Sequence, residues 1–227
     1  ERIIPMEPFF FAQLPIRTFQ EIAFEVAKNF FGEDIPLDKL QEIVYDTLIF
    51  NTPLVEVEKD IYSLELFHGP TLAFKDVGAR FMARMLAYFI SEEKGTVHVL
   101  VATSGDTGSA VANGFLGIDG IQVHVLYPKG KVSEIQEMQF VTLGQNITAL
   151  EVDGTFDDCQ ALVKSAFMDD ELQRKMVLTS ANSINVARFL PQAFYYFNAV
   201  AQLNPRGKKI VFSVPSGNFG NLTTGLI

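Results

Sequence analysis

The chain of 227 residues has no tryptophan, one cysteine and three histidines. A lone thiol, Cys159, excludes an internal disulfide and a cysteine metal cluster. His68, His98 and His124 lie far apart in sequence and show no HExxH spacing, which argues against a zinc centre. Basic residues are in deficit: 18 Lys and Arg stand against 27 Asp and Glu, a net charge of −9. That balance argues against a nucleic-acid partner, because phosphate backbones are held by clustered cations. No apolar run approaches the roughly 20 residues that a membrane span needs, and no charged leader followed by an apolar core opens the chain. The expectation is a cytoplasmic protein without membrane contact. The chain opens at Glu1 and stops at Ile227, just inside what reads as a new helix, so both ends read as cut. With 48% hydrophobic residues it can bury a sizeable core, in one large domain or two small ones.

The first sixty residues read as helical. Thr18 and Glu21 have capping-box spacing, and Phe19, Ile22, Ala23, Val26, Ala27 and Phe30 recur at the 3.6-residue period until Gly32. A second helix is expected from about Pro36 to Phe50, broken by Asn51-Thr52-Pro53. From Ile61 the pattern changes. Residues 61–67 have strand character, His68-Gly69-Pro70 turns, and 74–90 is helical. Strand-like runs follow at 97–102, 121–127, 147–152, 177–179 and 210–214, with helical patterns near 109–115, 132–140, 156–168 and 186–203. This alternation predicts an α/β fold, a parallel sheet covered by helices on both faces. Ligands of such sheets sit at the carboxyl ends of the strands, so the loops there are the places to search.

Four segments stand out. In Phe67-His68-Gly69-Pro70-Thr71-Leu72-Ala73-Phe74-Lys75-Asp76 a lysine opens a helix beside apolar residues. A helix N-terminus and apolar walls both disfavour an ammonium, and a lysine so lowered in pKa can form a Schiff base with an aldehyde cofactor. A surface lysine snorkelling past Phe74 is the plainer alternative. Thr103-Ser104-Gly105-Asp106-Thr107-Gly108-Ser109 directly follows a strand and suits a carboxylate or phosphate, or is simply a capped strand-to-helix turn. A dinucleotide site is disfavoured: there is one Gly-x-x-Gly pair, and the next strand ends in Tyr127-Pro128-Lys129-Gly130 without an acid. Pro215-Ser216-Gly217-Asn218-Phe219-Gly220-Asn221 can turn several N–H groups on one anion, or be a turn without a ligand; no Gly-Lys-Ser/Thr makes it a Walker loop. Asn185 and Arg188, three apart at a helix start, are either an anion grip or a cap and a surface arginine.

In this order, HGPTLAFKD, SGDTG, NSINVAR and PSGNFGN resemble the threonine synthase family, as does Tyr127-Pro128-Lys129-Gly130-Lys131-Val132-Ser133, and the likeness covers essentially the whole chain. The resemblance implies a fold type II, tryptophan-synthase-like enzyme dependent on pyridoxal 5′-phosphate (PLP), here truncated and preceded by a helical region. It implies O-phospho-L-homoserine as substrate, and L-threonine and phosphate as products. Lys75 would form the Schiff base with PLP and then act as acid and base at the substrate α and β carbons. Gly217, Asn218, Phe219, Gly220 and Asn221 would hold the PLP phosphate. Ser104, Gly105, Asp106 and Thr107 would face the cofactor ring and the substrate carboxylate; Asp106 stands where many related enzymes have Asn. Asn185, Arg188 and Lys131 would lie near the substrate phosphate.

The corresponding division is a helical region at 1–60, the Schiff-base lysine segment at 61–90, a smaller α/β lobe at 91–184 and the start of a larger PLP-binding lobe at 185–227. Rival readings are another lyase of this fold, such as a serine or threonine dehydratase, and an inactive fragment serving as a binding module. The expected assembly is a monomer or a homodimer.

Overall fold

The computed structural model describes residues 5–90, 95–182, 185–205, 207–217 and 219–226. The chain divides into two compact units, Glu1–Gly69 with Phe189–Ile227, and Pro70–Arg188. In sequence, the second unit is thus an insertion into the first.

The first unit begins with α1 (Pro8–Gln13), α2 (Phe19–Phe31) and α3 (Leu37–Thr47). Thr18 closes a capping box on α2: its hydroxyl accepts from Glu21 N at 3.2 Å, and the Glu21 carboxylate accepts from Thr18 N at 2.7 Å. Ile22, Ala23, Val26 and Ala27 form the buried stripe of α2. The helical expectation fails at its end. Leu54–Glu58 is a strand, β1, paired antiparallel with β2 (Ile61–Leu64). Leu54-Val55-Glu56-Val57-Glu58 alternates apolar and acidic residues with a period of two, which suits a strand and not a helix.

The second unit opens with α4 (Lys75–Ile90), followed by β3 (Val97–Ala102), α5 (Asp106–Phe115), β4 (Ile121–Pro128), α6 (Glu134–Val141), β5 (Ile147–Val152), α7 (Phe156–Met168), α8 (Asp170–Lys175), β6 (Val177–Ser180) and α9 (Val186–Phe189). The strands form one parallel sheet in the order β5-β4-β3-β6. Side chains alternate across it. Val99, Val101, Val123 and Val125 pack with Ala79, Met82 and Ala83 of α4 and with Ala110, Val111 and Phe115 of α5. Leu100, Ala102, Leu126 and Val152 pack with Cys159 and Val163 of α7. Helices therefore cover both faces, as a buried parallel sheet requires.

The chain then returns to the first unit through α10 (Ala193–Leu203) and α11 (Gly220–Thr224). The expected continuous helix 186–203 is broken by a 3₁₀ turn, Leu190–Gln192, because Pro191 has no N–H to give to an α-helical ladder. The expected strand 210–214 is not formed: these residues carry no ladder partner among the described residues, and Val211 is 80% exposed. No helix among the described residues is long and apolar enough to cross a membrane.

One buried amide fastens the far edge of the sheet. Asn146 donates through Nδ2 to Phe115 O at 2.9 Å and Ile121 O at 3.1 Å, and its Oδ1 accepts from Gly117 N at 2.8 Å. Replacing it with alanine strands three backbone groups. Asn146→Ala is expected to lower the unfolding free energy by about 2–4 kcal/mol, read from urea titration; a loss below about 1 kcal/mol would mean that water satisfies those groups equally well.

Candidate active site

The segment before Lys75 is wound around a carboxylate. Thr71 donates to Asp76 through both its hydroxyl and its backbone N–H, the latter at 3.0 Å. Leu72, within this turn, has φ 59°, a left-handed conformation that is uncommon for a branched residue and tends to mark sites held by their surroundings. Burial raises the Asp76 pKa, opposed by the hydrogen bonds from Thr71 and Ala73 and by Arg80. The result is a fixed entry into α4 with Lys75 as its first residue.

The Lys75 amine is half-buried. Nζ lies 3.4 Å from Oδ2 of Asp106 and 5.6 Å from the centre of the Phe74 ring. Burial pushes its pKa below the usual lysine value; Asp106 pulls it back up, and the positive charge of Arg188 adds to the depression. Asp106 opens α5, and the loop before it is set by Thr103. The buried Thr103 hydroxyl accepts from Gly105 N at 2.9 Å and Gly108 N at 2.8 Å. Gly105 has φ 143°, and a Cβ there would strike the Gln136 amide, so any side chain would be strained and would displace that amide. The remaining oxygen of Asp106, Oδ1, accepts from Nε2 of Gln136 on α6.

Arg188 is 3% exposed and donates through Nη1 to Ala181 O at 2.7 Å. Burial pushes its pKa down to about 10, which still leaves it cationic at neutral pH. A Cβ on Gly78 of α4 would collide with the Arg188 carbonyl, so these two backbones touch because residue 78 has no side chain. Asn182 fastens the same stretch to the end of β3, accepting from Ala102 N at 3.3 Å and donating to Ala102 O at 3.0 Å. Asn185 directs its amide to the backbone, with Nδ2 on Ser180 O at 3.2 Å and Oδ1 accepting from Ala187 N at 3.0 Å. Lys131 is exposed in the turn after β4, where its charge acts on Asp158.

Of the residues singled out in the sequence, the second unit thus brings together Lys75, Asp106 and Arg188. The loop 217–221 belongs to the first unit. Asn218 lies outside the described residues. A Cβ on Gly217 or Gly220 would meet nothing within 4 Å, and Phe219 is exposed. Asn221 anchors the loop: its Nδ2 donates to Gln192 at 3.2 Å, and its Oδ1 and backbone carbonyl accept from the Tyr196 hydroxyl at 3.0 and 2.9 Å. Sequence reasoning missed Thr103, Asp76 and Gln136. For Gln136 a signal existed, since Ser133-x-x-Gln136 has capping-box spacing.

An amine kept short of its usual basicity, at a helix head beside the carboxyl end of a parallel strand, suits an enzyme that binds an aldehyde cofactor. Residues 45–226 match the family model of pyridoxal-phosphate dependent enzymes, and the chain belongs to that family. It is 56% identical over 196 residues to threonine synthase of Haemophilus influenzae, covering 86% of this chain and 45% of that protein. The crystal structure of threonine synthase from Escherichia coli superposes with a TM-score of 0.89 at 48% identity, over 97% of this chain and 51% of that one. The PLP-bound threonine synthase from Brucella melitensis gives a TM-score of 0.89 at 38% identity, over 97% and 49%. The chain spans about half the length of the relatives it matches.

The depressed Lys75 pKa has a consequence for stability. Between the folded value and the ordinary 10.5, the unfolded chain binds more protons at this site than the folded one. The parent therefore gains stability from this site as the pH rises through that window, and carries the full penalty below it. Lys75→Met is expected to raise the urea midpoint at pH 7, with the gap closing as the pH approaches 10.5. A lowered midpoint at pH 7, with the deficit fading at higher pH, would mean that Asp106 outweighs burial.

Proposed function

We propose that this chain is part of a threonine synthase, which binds PLP through Lys75 and converts O-phospho-L-homoserine and water to L-threonine and phosphate. The observation that carries the proposal is the Lys75 amine, lowered in pKa at the head of α4, in a chain 56% identical over 196 residues to a threonine synthase. A neutral amine is the form that condenses with an aldehyde, and burial favours that form. When bound, the cofactor supplies an electron sink for charge developing at the substrate α carbon.

Lys75 moves protons at the substrate α and β carbons, a task suited to an amine whose pKa lies nearer the working pH. Asp106, 3.4 Å away, stabilises the amine whenever it holds a proton. Over the whole reaction the Cγ–O bond breaks and phosphate leaves, Cβ gives up one hydrogen as a proton and takes a hydroxyl from water, and Cγ gains a proton. The loop Ser104, Gly105, Asp106 and Thr107 receives the substrate carboxylate, supported by its place at the head of the ten-residue α5. Arg188 receives the substrate phosphate. Its guanidinium suits that anion, and its charge already acts on Lys75. Asn185 and Lys131 join it on residue chemistry alone. The loop Gly217–Asn221, with Asn218 and Phe219, receives the cofactor phosphate; open space beside Gly217 and Gly220 supports this role. The free, buried thiol of Cys159 fits the reducing cytoplasm.

The test uses the full-length protein with PLP. Equal amounts of phosphate and threonine are expected from O-phospho-L-homoserine, and Lys75→Ala is expected to abolish both, together with cofactor fixed by borohydride. A 2-oxo acid formed from serine or threonine, without phosphate release from the phosphorylated substrate, would replace the proposal with a dehydratase.

Gly217→Val tests the phosphate loop. Because a Cβ there meets no protein atom within 4 Å, the urea midpoint without cofactor should hardly move. PLP affinity, measured by fluorescence titration, should fall by about tenfold or more, because a branched side chain then occupies the space through which the anion reaches the backbone. Parental affinity in this variant would send the cofactor phosphate elsewhere.

A further inference from the structure

Asp106 does not stand alone beside Lys75. Its two carboxylate oxygens face different partners: Oδ2 the Lys75 amine at 3.4 Å, Oδ1 the side-chain amide of Gln136. Gln136 is itself oriented. Its Oε1 accepts from the Ser133 hydroxyl at 3.0 Å, which turns the amide NH₂ towards Asp106. The same hydroxyl caps α6 by accepting from Gln136 N, and Ser109 of α5 donates to the Gln136 carbonyl at 3.1 Å, tying the two helices together at this point. Gly105 leaves the space that the Gln136 amide fills. A capping box would return the Gln136 side chain to the backbone N–H of Ser133; here it is spent on Asp106 instead.

We propose that Gln136 is a positioning residue: oriented by Ser133, it clamps Oδ1 of Asp106 so that Oδ2 stays turned to the Lys75 amine, and it thereby sets how readily that amine gives up its proton. An exposed carboxylate on a helix head has several rotamers, and each turn away from Lys75 weakens the pair. The other charge acting on Lys75, Arg188 of α9, lies outside the clamp and pushes in the opposite direction. The inference deepens the proposed role of Lys75 and rests on it for its catalytic meaning. The clamp itself is a property of the protein without cofactor.

The experiment measures Lys75 directly. Full-length protein without cofactor is labelled by acetic anhydride over a range of pH, and the peptide carrying Lys75 is quantified by mass spectrometry. Gln136→Met keeps the side-chain length and removes the donor. With Asp106 released, the amine loses part of what favours its protonated form. Its labelling midpoint should move down, and its rate at pH 7 should rise roughly two- to tenfold relative to the other lysines. Asp106→Asn should do the same. On the Asp106→Asn background, Gln136→Met should add nothing, since its only route to Lys75 has gone. Urea midpoints run in parallel separate this from general loosening. Parental labelling of Lys75 in Gln136→Met would overturn the proposal, whatever the stability change. So would an undiminished effect on the Asp106→Asn background. Because no substrate or PLP is present, neither outcome depends on whether the reaction proposed above is correct.

Discussion

Burial is the largest of the forces that keep the Lys75 amine short of its usual basicity. Burial alone would leave a charge without compensation whenever the amine is protonated, a state costly in a low-dielectric site. Asp106 limits that cost without cancelling it. The surroundings serve to hold this pair at the edge of contact. The Thr71–Asp76 turn fixes where α4 starts, Thr103 fixes where α5 starts, and the bare backbone of Gly78 lets Arg188 come close enough to bear on the amine.

The sheet explains why these pieces meet. From β3 the chain moves through α5 to β4 and on to β5; it then crosses the other face through α7 and α8 and returns as β6 on the opposite side of β3. The strand order therefore reverses at β3 and β6. Loops leaving the carboxyl ends of two such strands diverge and leave a crevice. Thr103–Gly108 leaves β3 there and the stretch towards Arg188 leaves β6, with Asn182 pinning the second loop to the last residue of β3. These two loops carry Asp106 and Arg188, whose charges act on Lys75 at the head of α4.

This topology was legible because buried parallel strands are short, apolar and punctuated by glycine. Four such runs were placed within a residue or two, and the amphipathic helices between them nearly as closely. The misreadings have separate causes. Leu54–Glu58 was absorbed into its helical surroundings although its alternation has a period of two. Residues 210–214 are β-branched and aromatic enough for a strand, but a strand exists only through a neighbour's hydrogen bonds, and composition does not reveal the neighbour. Asn185 and Arg188 were read as sharing a helical face. That spacing rule holds only inside a helix, and α9 begins at Val186, so Asn185 caps it and turns its amide to the backbone. Lys75 and the glycine loops could be singled out from local sequence because the features that mark them lie in their immediate neighbours. Gln136 was marked locally only by its capping-box spacing with Ser133; its contact with Asp106 spans thirty residues.

The choice of an aspartate at position 106 follows from the same electrostatics. Arg188 is buried and cationic, so a neutral side chain opposite Lys75 would leave that charge acting on the amine without Asp106 to oppose it. A carboxylate tightly paired with Lys75 would have the opposite fault, raising the amine's pKa and holding its proton. A carboxylate at 3.4 Å, shared with a neutral amide donor, lies between these extremes. Part of its hydrogen-bonding capacity is taken up by Gln136, and the amine receives a partial counter-charge in place of a full ion pair. The polar network around Lys75 thus acts in both directions, Asp106 raising its basicity and Arg188 lowering it, with the Gln136 amide bound to the carboxylate.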